Sequence, residues 1–155
     1  MLKPFFCALA CLILANLPAR AAGTGDEILG AWNTADDKAR VEVFKQNDKY
    51  FGKIVSLKEP DWPANDEKGM AGQPKNDRNN PRPQLRSRKI IGLCMMNDFV
   101  YAGKNHWVGG TVYDPESGKT YRGKISLTAS NRLEMRGFVG ISLLGRTTVW
   151  TRVEP

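Results

Sequence analysis

The sequence predicts an all-β protein: a small antiparallel up-and-down β-barrel carrying one long Pro-rich loop. Three observations carry this. Apolar and polar residues alternate with period two in six or more segments, the pattern of an antiparallel sheet with one wet face. Clusters of Asn, Asp, Ser, Gly and Pro join those segments as tight turns. No segment shows the 3.6-residue period of a long amphipathic helix. A two-sheet sandwich is the alternative, but closure removes exposed strand edges. Gly52, Gly109, Gly110, Gly123 and Gly137 also fall in or beside strand segments, where barrels bend or bulge.

The elements follow in chain order. Residues 29–34 form a short strand. Residues 39–45 place Val41 and Val43 on one face and Arg40, Glu42 and Phe44 on the other. Gln46, Asn47 and Asp48 turn the chain into a second alternating run, 49–57, so the two read as a hairpin. Residues 58–88 then lose periodicity and hold Pro60, Pro63, Pro74, Pro81 and Pro83. Long irregular segments in compact domains are often lids or binding loops. Residues 84–96 fit either a short helix or a buried strand. Residues 106–113 read as one strand, 114–118 as a Pro- and Gly-bearing turn, and 119–128 as a strand with Tyr121, Gly123, Ile125 and Leu127 inward. Residues 132–139 and 146–153 complete the set, with a Gly-bounded connector at 140–145.

The first 21 residues read as a secretory signal. Lys3 precedes an apolar run from 5 to 17, and Ala19-Arg20-Ala21 supplies small residues for cleavage. An uncleaved anchor is the alternative. A lipoprotein box ending at Cys11 is set aside, because the apolar run continues past it. The expectation is a single barrel domain at 22–155, with no transmembrane span, exported to the periplasm or secreted. The formal charge of +7 falls to +5 without Lys3 and Arg20, which favours anionic neighbours but falls short of a nucleic-acid signature. Cys94 is then alone, in the apolar run 90–96. No intramolecular disulfide is possible, and a small buried hydrophobe is the simplest reading.

Chemistry-bearing motifs are sparse. One His and one remaining Cys exclude a zinc cluster, and Asp77-Arg78-Asn79-Asn80 lacks the Gly and distal Glu of a calcium loop. Gly118-Lys119-Thr120 resembles the end of a phosphate loop, but the position five residues before Gly118 is Tyr113 and the context is a hairpin. His106 has no nucleophile-elbow Ser to serve. The reading therefore assigns no catalytic residue, no metal and no cofactor. Arg78, Arg82, Arg86, Arg88 and Lys89 form the densest basic stretch, either an anion or membrane contact or a set of Arg side chains paired with carboxylates elsewhere.

Gly30-Ala31-Trp32 resembles the lipocalin Gly-x-Trp signature, in which a Trp packs at the barrel base beneath an Arg of the last strand. The resemblance assigns those structural parts to Trp32 and Arg152. The length is closer to a fatty-acid-binding-protein barrel. A broader likeness runs through Ala39-Arg40-Val41-Glu42-Val43-Phe44, Leu85-Arg86-Ser87-Arg88, Trp107-Val108-Gly109-Gly110, Tyr113-Asp114-Pro115, Arg136-Gly137-Phe138-Val139-Gly140 and Gly145-Arg146-Thr147-Thr148-Val149-Trp150. In order and spacing this resembles an uncharacterised bacterial family, domain of unknown function 2147, over nearly all of 26–153. The resemblance implies a small exported protein, mostly of Gram-negative bacteria, with a lipocalin-like or related barrel. It implies no activity, cofactor or catalytic residue. The first hairpin turn, which often carries cysteines in relatives, has none here.

The functional expectation is a periplasmic binding module for a small apolar or amphipathic ligand, with the 58–88 segment over the barrel mouth. The ligand-binding candidates are Trp62 and Met70 in the loop, Arg86 and Arg88 at the rim, and Trp107 and Phe138 near the interior. The alternative is an envelope protein that uses Arg82, Arg86 and Arg88 against anionic lipid or a protein partner. A carboxylate hydrolase ranks last.

Overall fold

The computed structural model describes residues 23–154, so the signal-peptide reading of 1–21 lies outside the described residues. Nine strands follow one another: β1 (Gly30–Asn33), β2 (Ala39–Gln46), β3 (Lys49–Leu57), β4 (Cys94–Gly103), β5 (His106–Val108), β6 (Thr111–Asp114), β7 (Lys119–Ala129), β8 (Arg132–Phe138) and β9 (Arg146–Arg152). Every pairing is antiparallel, and β5 and β6 share one place between β4 and β7. Nine strands therefore occupy eight positions, and β9 returns to β1 to close the barrel.

Two strand assignments depart from the sequence expectation. β4 runs to Gly103, well past the apolar run at 90–96. Its inward residues are Met96, Phe99 and Tyr101, because Asp98 sits at φ 61 and inserts an extra residue. A bulge breaks period two, which hides the strand from a periodicity reading. The single strand expected at 106–113 is two, separated by Gly109 at φ 78 and by Gly110. Between β3 and β4 lie two isolated antiparallel bridges, Asp61–Pro74 and Asn76–Lys89, and a 3-10 turn, Pro83–Leu85.

The interior is occupied by the protein's own side chains. Trp32, Val41, Met96, Phe99, Trp107, Ile125 and Leu133 are all fully buried. Phe99 lies against Gly123 and Gly110, where an added Cβ would overlap its ring, and Met96 Sδ lies 2.5 Å from where a Cβ of Gly52 would stand. These glycines are seats for large side chains crossing the barrel axis. Gly110 and Gly123 therefore act through the missing Cβ, not through the bend expected of them. Eight-stranded barrels either fill themselves this way or hold one small ligand.

Candidate functional site

One end of the barrel is shut. The 3-10 turn Asp26–Ile28 lies across it, with Ile28 buried. The Trp32 indole donates to the Ile28 carbonyl at 2.9 Å. The Arg152 guanidinium stacks 4.2 Å from the Trp32 ring and donates to the carbonyls of Leu29 and Ser130 at 2.8 and 2.7 Å and to that of Glu27. Asp26 accepts from Tyr50 Oη at 2.8 Å and from Lys45 at 3.0 Å. The Tyr50 hydroxyl and then the Lys45 ammonium hold the Asp26 carboxyl below its usual range.

The other end carries the long segment between β3 and β4. It is folded on itself, and Ile90 and Leu93 at its end join the barrel core. Trp62 N–H donates to the Gln73 carbonyl, and Gly72 N–H returns a bond to Trp62. The Arg78 guanidinium lies 3.3 Å from the Trp62 ring centroid and forms a 2.7 Å ion pair with Asp66. Asp66 also accepts from the backbone N–H of Met70 and Lys68. Trp62 is thus engaged within the loop by Arg78, and half-buried Met70 is held to Asp66 through its backbone.

The second half of the segment docks on the outer wall. Tyr113 pairs with exposed Thr120, while its neighbour Val112 pairs with inward Met96, so Tyr113 projects outward. Asp77, fully buried, receives the Tyr113 hydroxyl on Oδ1 at 2.5 Å. Its Oδ2 accepts Asn80 Nδ2 and Arg88 Nε, each at 2.8 Å, and Arg88 Nη2 at 2.8 Å. A buried carboxylate is tolerable only when its lone pairs are satisfied in this way. Burial, and then the Asp77 carboxylate, push the Tyr113 phenol above its ordinary value. The Asn79 carbonyl rests on Gly118, at φ 70, where any Cβ would overlap it. Asn79 Nδ2 donates to the Glu116 carbonyl at 2.8 Å.

Between the docked segment and the wall lies a cleft of about 480 Å³. Arg82 and Arg88 line it from the loop, with Asn80 and the apolar edge of Pro81 and Leu85. Asn97, Thr111, Tyr113 and Thr120 line it from β4, β6 and β7, and Cys94 stands at its floor. Among the described residues no carboxylate lines it. Burial raises the Cys94 thiol, which donates to the Met96 carbonyl at 3.2 Å, so the sulfur is a poor nucleophile there. The arrangement offers guanidinium, amide and hydroxyl groups around a net positive charge, which suits a small anion.

The sequence candidates separate in space. Arg88 lines the cleft. Arg86 stands beside it, with Nε donating to the Asn80 carbonyl at 2.8 Å. Trp107 is fully buried, edge-on to Tyr50 at 6.1 Å, and its indole N–H has no hydrogen-bond partner among the described residues. Phe138 faces outward, not toward the interior: it pairs with exposed Arg122 on β7 and lies under Arg122 and Lys124, 5.7 and 5.8 Å from its ring centroid. Arg82, Asn97, Thr111, Thr120 and Tyr113 were not candidates for this cleft in the sequence reading. The sequence marks Arg82 only as part of the basic stretch, and Tyr113 and Thr120 only as flanks of a predicted hairpin turn. In the basic stretch, Arg78 and Arg88 pair with Asp66 and Asp77, while no ion pair involves Arg82 or Arg86 among the described residues. Among the described residues no three His, Cys, Asp or Glu side chains gather to hold a metal.

The comparisons agree on architecture. A solved structure described as protein HP1028 from the human pathogen Helicobacter pylori, belonging to the lipocalin family, superposes with a TM-score of 0.67 at 26% identity, covering 81% of this chain and 82% of that one. The barrel is therefore lipocalin-like, a fold suited to small-ligand binding. No curated protein matches the chain. The profile of a family described as "Uncharacterized protein conserved in bacteria (DUF2147)" matches residues 30–152, so the chain belongs to the DUF2147 family.

Proposed function

We propose that this protein is an exported periplasmic module that binds a small anionic, amphipathic ligand in the outer cleft. The observation that carries the reading is the cleft of about 480 Å³, with Arg82 and Arg88 on one side, hydroxyls and amides on the other, and no lining carboxylate among the described residues. An anionic head would take charge-assisted bonds from Arg82 and the free edge of Arg88. Pro81 and Leu85 would cover an apolar portion. The barrel interior is the weaker location, because Phe99 and Met96 already cross it. The fold's general suitability for small ligands supports the class, and the cleft's electrostatics support the charge.

The test uses native mass spectrometry together with thiol chemistry. Protein purified from cells should carry a mass adduct that disappears on denaturation and refolding. With Cys7 and Cys11 replaced by Ser, Cys94 is the only thiol, and alkylation of Cys94 should slow when the recovered ligand is added back. Arg82→Ala with Arg88→Ala should remove both the adduct and the protection. An adduct that survives both substitutions, or leaves Cys94 alkylation unchanged, would place binding elsewhere.

A further inference from the structure

The loop between β8 and β9 presents an apolar tip. Val139 is 72% exposed, Ile141 62%, Leu143 82% and Leu144 79%. Four large exposed apolar side chains within six residues of one loop are the kind of concentration that marks a protein or membrane contact, unlike scattered surface leucines.

The tip is held in that exposed form. Ser142–Leu144 makes a 3-10 turn, closed by Leu144 N–H to Ile141 and Gly145 N–H to Ser142. Arg136 clamps it from β8: Nε donates to the Ser142 carbonyl at 2.8 Å, Nη2 to the Leu143 carbonyl at 3.0 Å and Nη1 to Thr147 Oγ1 at 2.8 Å. The tip's carbonyls are thus partly satisfied from within, which lowers the cost of leaving water. The leucines stay outward because the backbone is tied down.

Cations dominate the tip's own strands, while the 3-10 turn Ala35–Asp37, with Asp36 and Asp37, packs on the far side of β9. Arg136 and Arg146 flank the tip in sequence, and Arg122 and Lys124 lie over Phe138 at its root. No acidic residue occurs from 135 to 153 or in β7. Apolar side chains at an exposed tip, with cations of β7 and β9 at its root, match the layering of an anionic bilayer: acyl boundary first, phosphates behind it. A second copy of this chain would bring the same cations against each other.

We infer that residues 139–144 insert into the headgroup region of an anionic phospholipid membrane, with Arg122, Lys124 and Arg146 on the lipid phosphates. This surface is distinct from the Arg82–Arg86–Arg88 stretch and does not depend on the cleft.

The experiment is co-sedimentation of the full chain, as recovered from expressing cells, with vesicles of phosphatidylcholine alone or with roughly a third phosphatidylglycerol. Parent and variants share the same N-terminus, so the apolar 5–17 run contributes equally to both. Binding should require phosphatidylglycerol and weaken with salt. Leu143→Asn with Leu144→Asn should weaken it at least about tenfold while leaving the melting temperature unchanged, since both side chains are solvent-exposed. Lys124→Glu with Arg146→Glu should remove the phosphatidylglycerol dependence. The Leu143→Trp variant should show a vesicle-dependent blue shift in emission beyond that of the parent chain. Equal binding by parent and the double Asn variant would overturn the inference. So would loss of binding only on reversing Arg82 and Arg86, or concentration-dependent dimerisation through the tip without vesicle binding.

Discussion

Tyr113→Phe removes the hydroxyl that fastens the long segment to the barrel, a group that donates to Asp77 and accepts from Asn80 Nδ2 at 3.0 Å. In the parent, Asp77 Oδ1 has one side-chain donor, the Tyr113 hydroxyl at 2.5 Å, while Oδ2 has Asn80 and Arg88. Removing the hydroxyl keeps the ring and leaves half of a fully buried carboxylate without a side-chain donor. A hydrogen bond to a charged buried acceptor contributes about 1.5–3 kcal/mol. For a chain of this size that corresponds to a melting-temperature loss of roughly 6–12 °C. The assay is thermal unfolding by circular dichroism, with Asp77→Asn and the double variant completing a cycle. A melting temperature within about 2 °C of the parent would refute the reasoning, as would full additivity in the cycle. The alkaline limb supplies a second readout. Burial and Asp77 raise Tyr113 above its ordinary 10.0, and burial and Asp26 do the same for Tyr50. A raised folded value means that stability is fully present below pH 10 and is lost as pH climbs through the folded values. The urea midpoint should therefore fall above pH 10, and fall less steeply in Tyr113→Phe, with Tyr50 responsible for the remainder.

Other perturbations test the core, the loop and its seat. Gly123→Ala drives a Cβ into the Phe99 ring and should destabilise by about 1–3 kcal/mol in urea. Phe99→Leu in the same chain should recover part of that loss, and an unperturbed single variant would refute the packing account. The Arg78 guanidinium, foremost among several donors, holds Asp66 below its ordinary 3.8. The Asp66–Arg78 fastening is thus present above that pH and lost as pH falls below it. Pepsin cleavage within 63–72 should rise as pH drops below about 3.8 in the parent and lose that dependence in Arg78→Met. A parent equally resistant across that range would show that the ion pair does not fasten the loop. Gly118→Ala should displace the Asn79 carbonyl and speed alkylation of Cys94, whereas an unchanged rate would mean that the seat does not set access to the cleft.

The barrel was legible because most of its strands alternate cleanly. In β7, Gly123, Ile125 and Leu127 face inward without interruption, and β8 and β9 follow the same rule. β4 was not legible, since the bulge at Asp98 shifts its phase midway. Glycine has several uses, and sequence alone does not separate a bend at Gly109 from a seat at Gly123. The cleft was harder still. Its residues come from four separate stretches, and they meet because one buried carboxylate, Asp77, gathers Tyr113, Asn80 and Arg88. Composition marked Arg88 as basic but could not show which Asp it would find. Trp62 was singled out as a ligand contact in the loop, yet its ring is covered by Arg78 of the same loop, a pairing that sequence spacing does not show.

The seam between β1 and β9 has a consequence for the order of assembly. Every other neighbouring pair of strands is close in sequence, separated by turns, by one short strand or by the 58–93 segment. The seam joins the first strand to the last, through the residue pairs Trp32–Arg152 and Asn33–Thr151. Closing so long a loop costs entropy that only the completed contacts repay, so the seam should form late. Until residues 146–152 are available, the polypeptide is a curled sheet with bare edges on β1 and β8. Arg152 then joins the seam and stacks on Trp32 in the same event. Ring closure and the locking of its base are thus one kinetic step, and a nascent chain that lacks its last strand has no partly closed form to rest in.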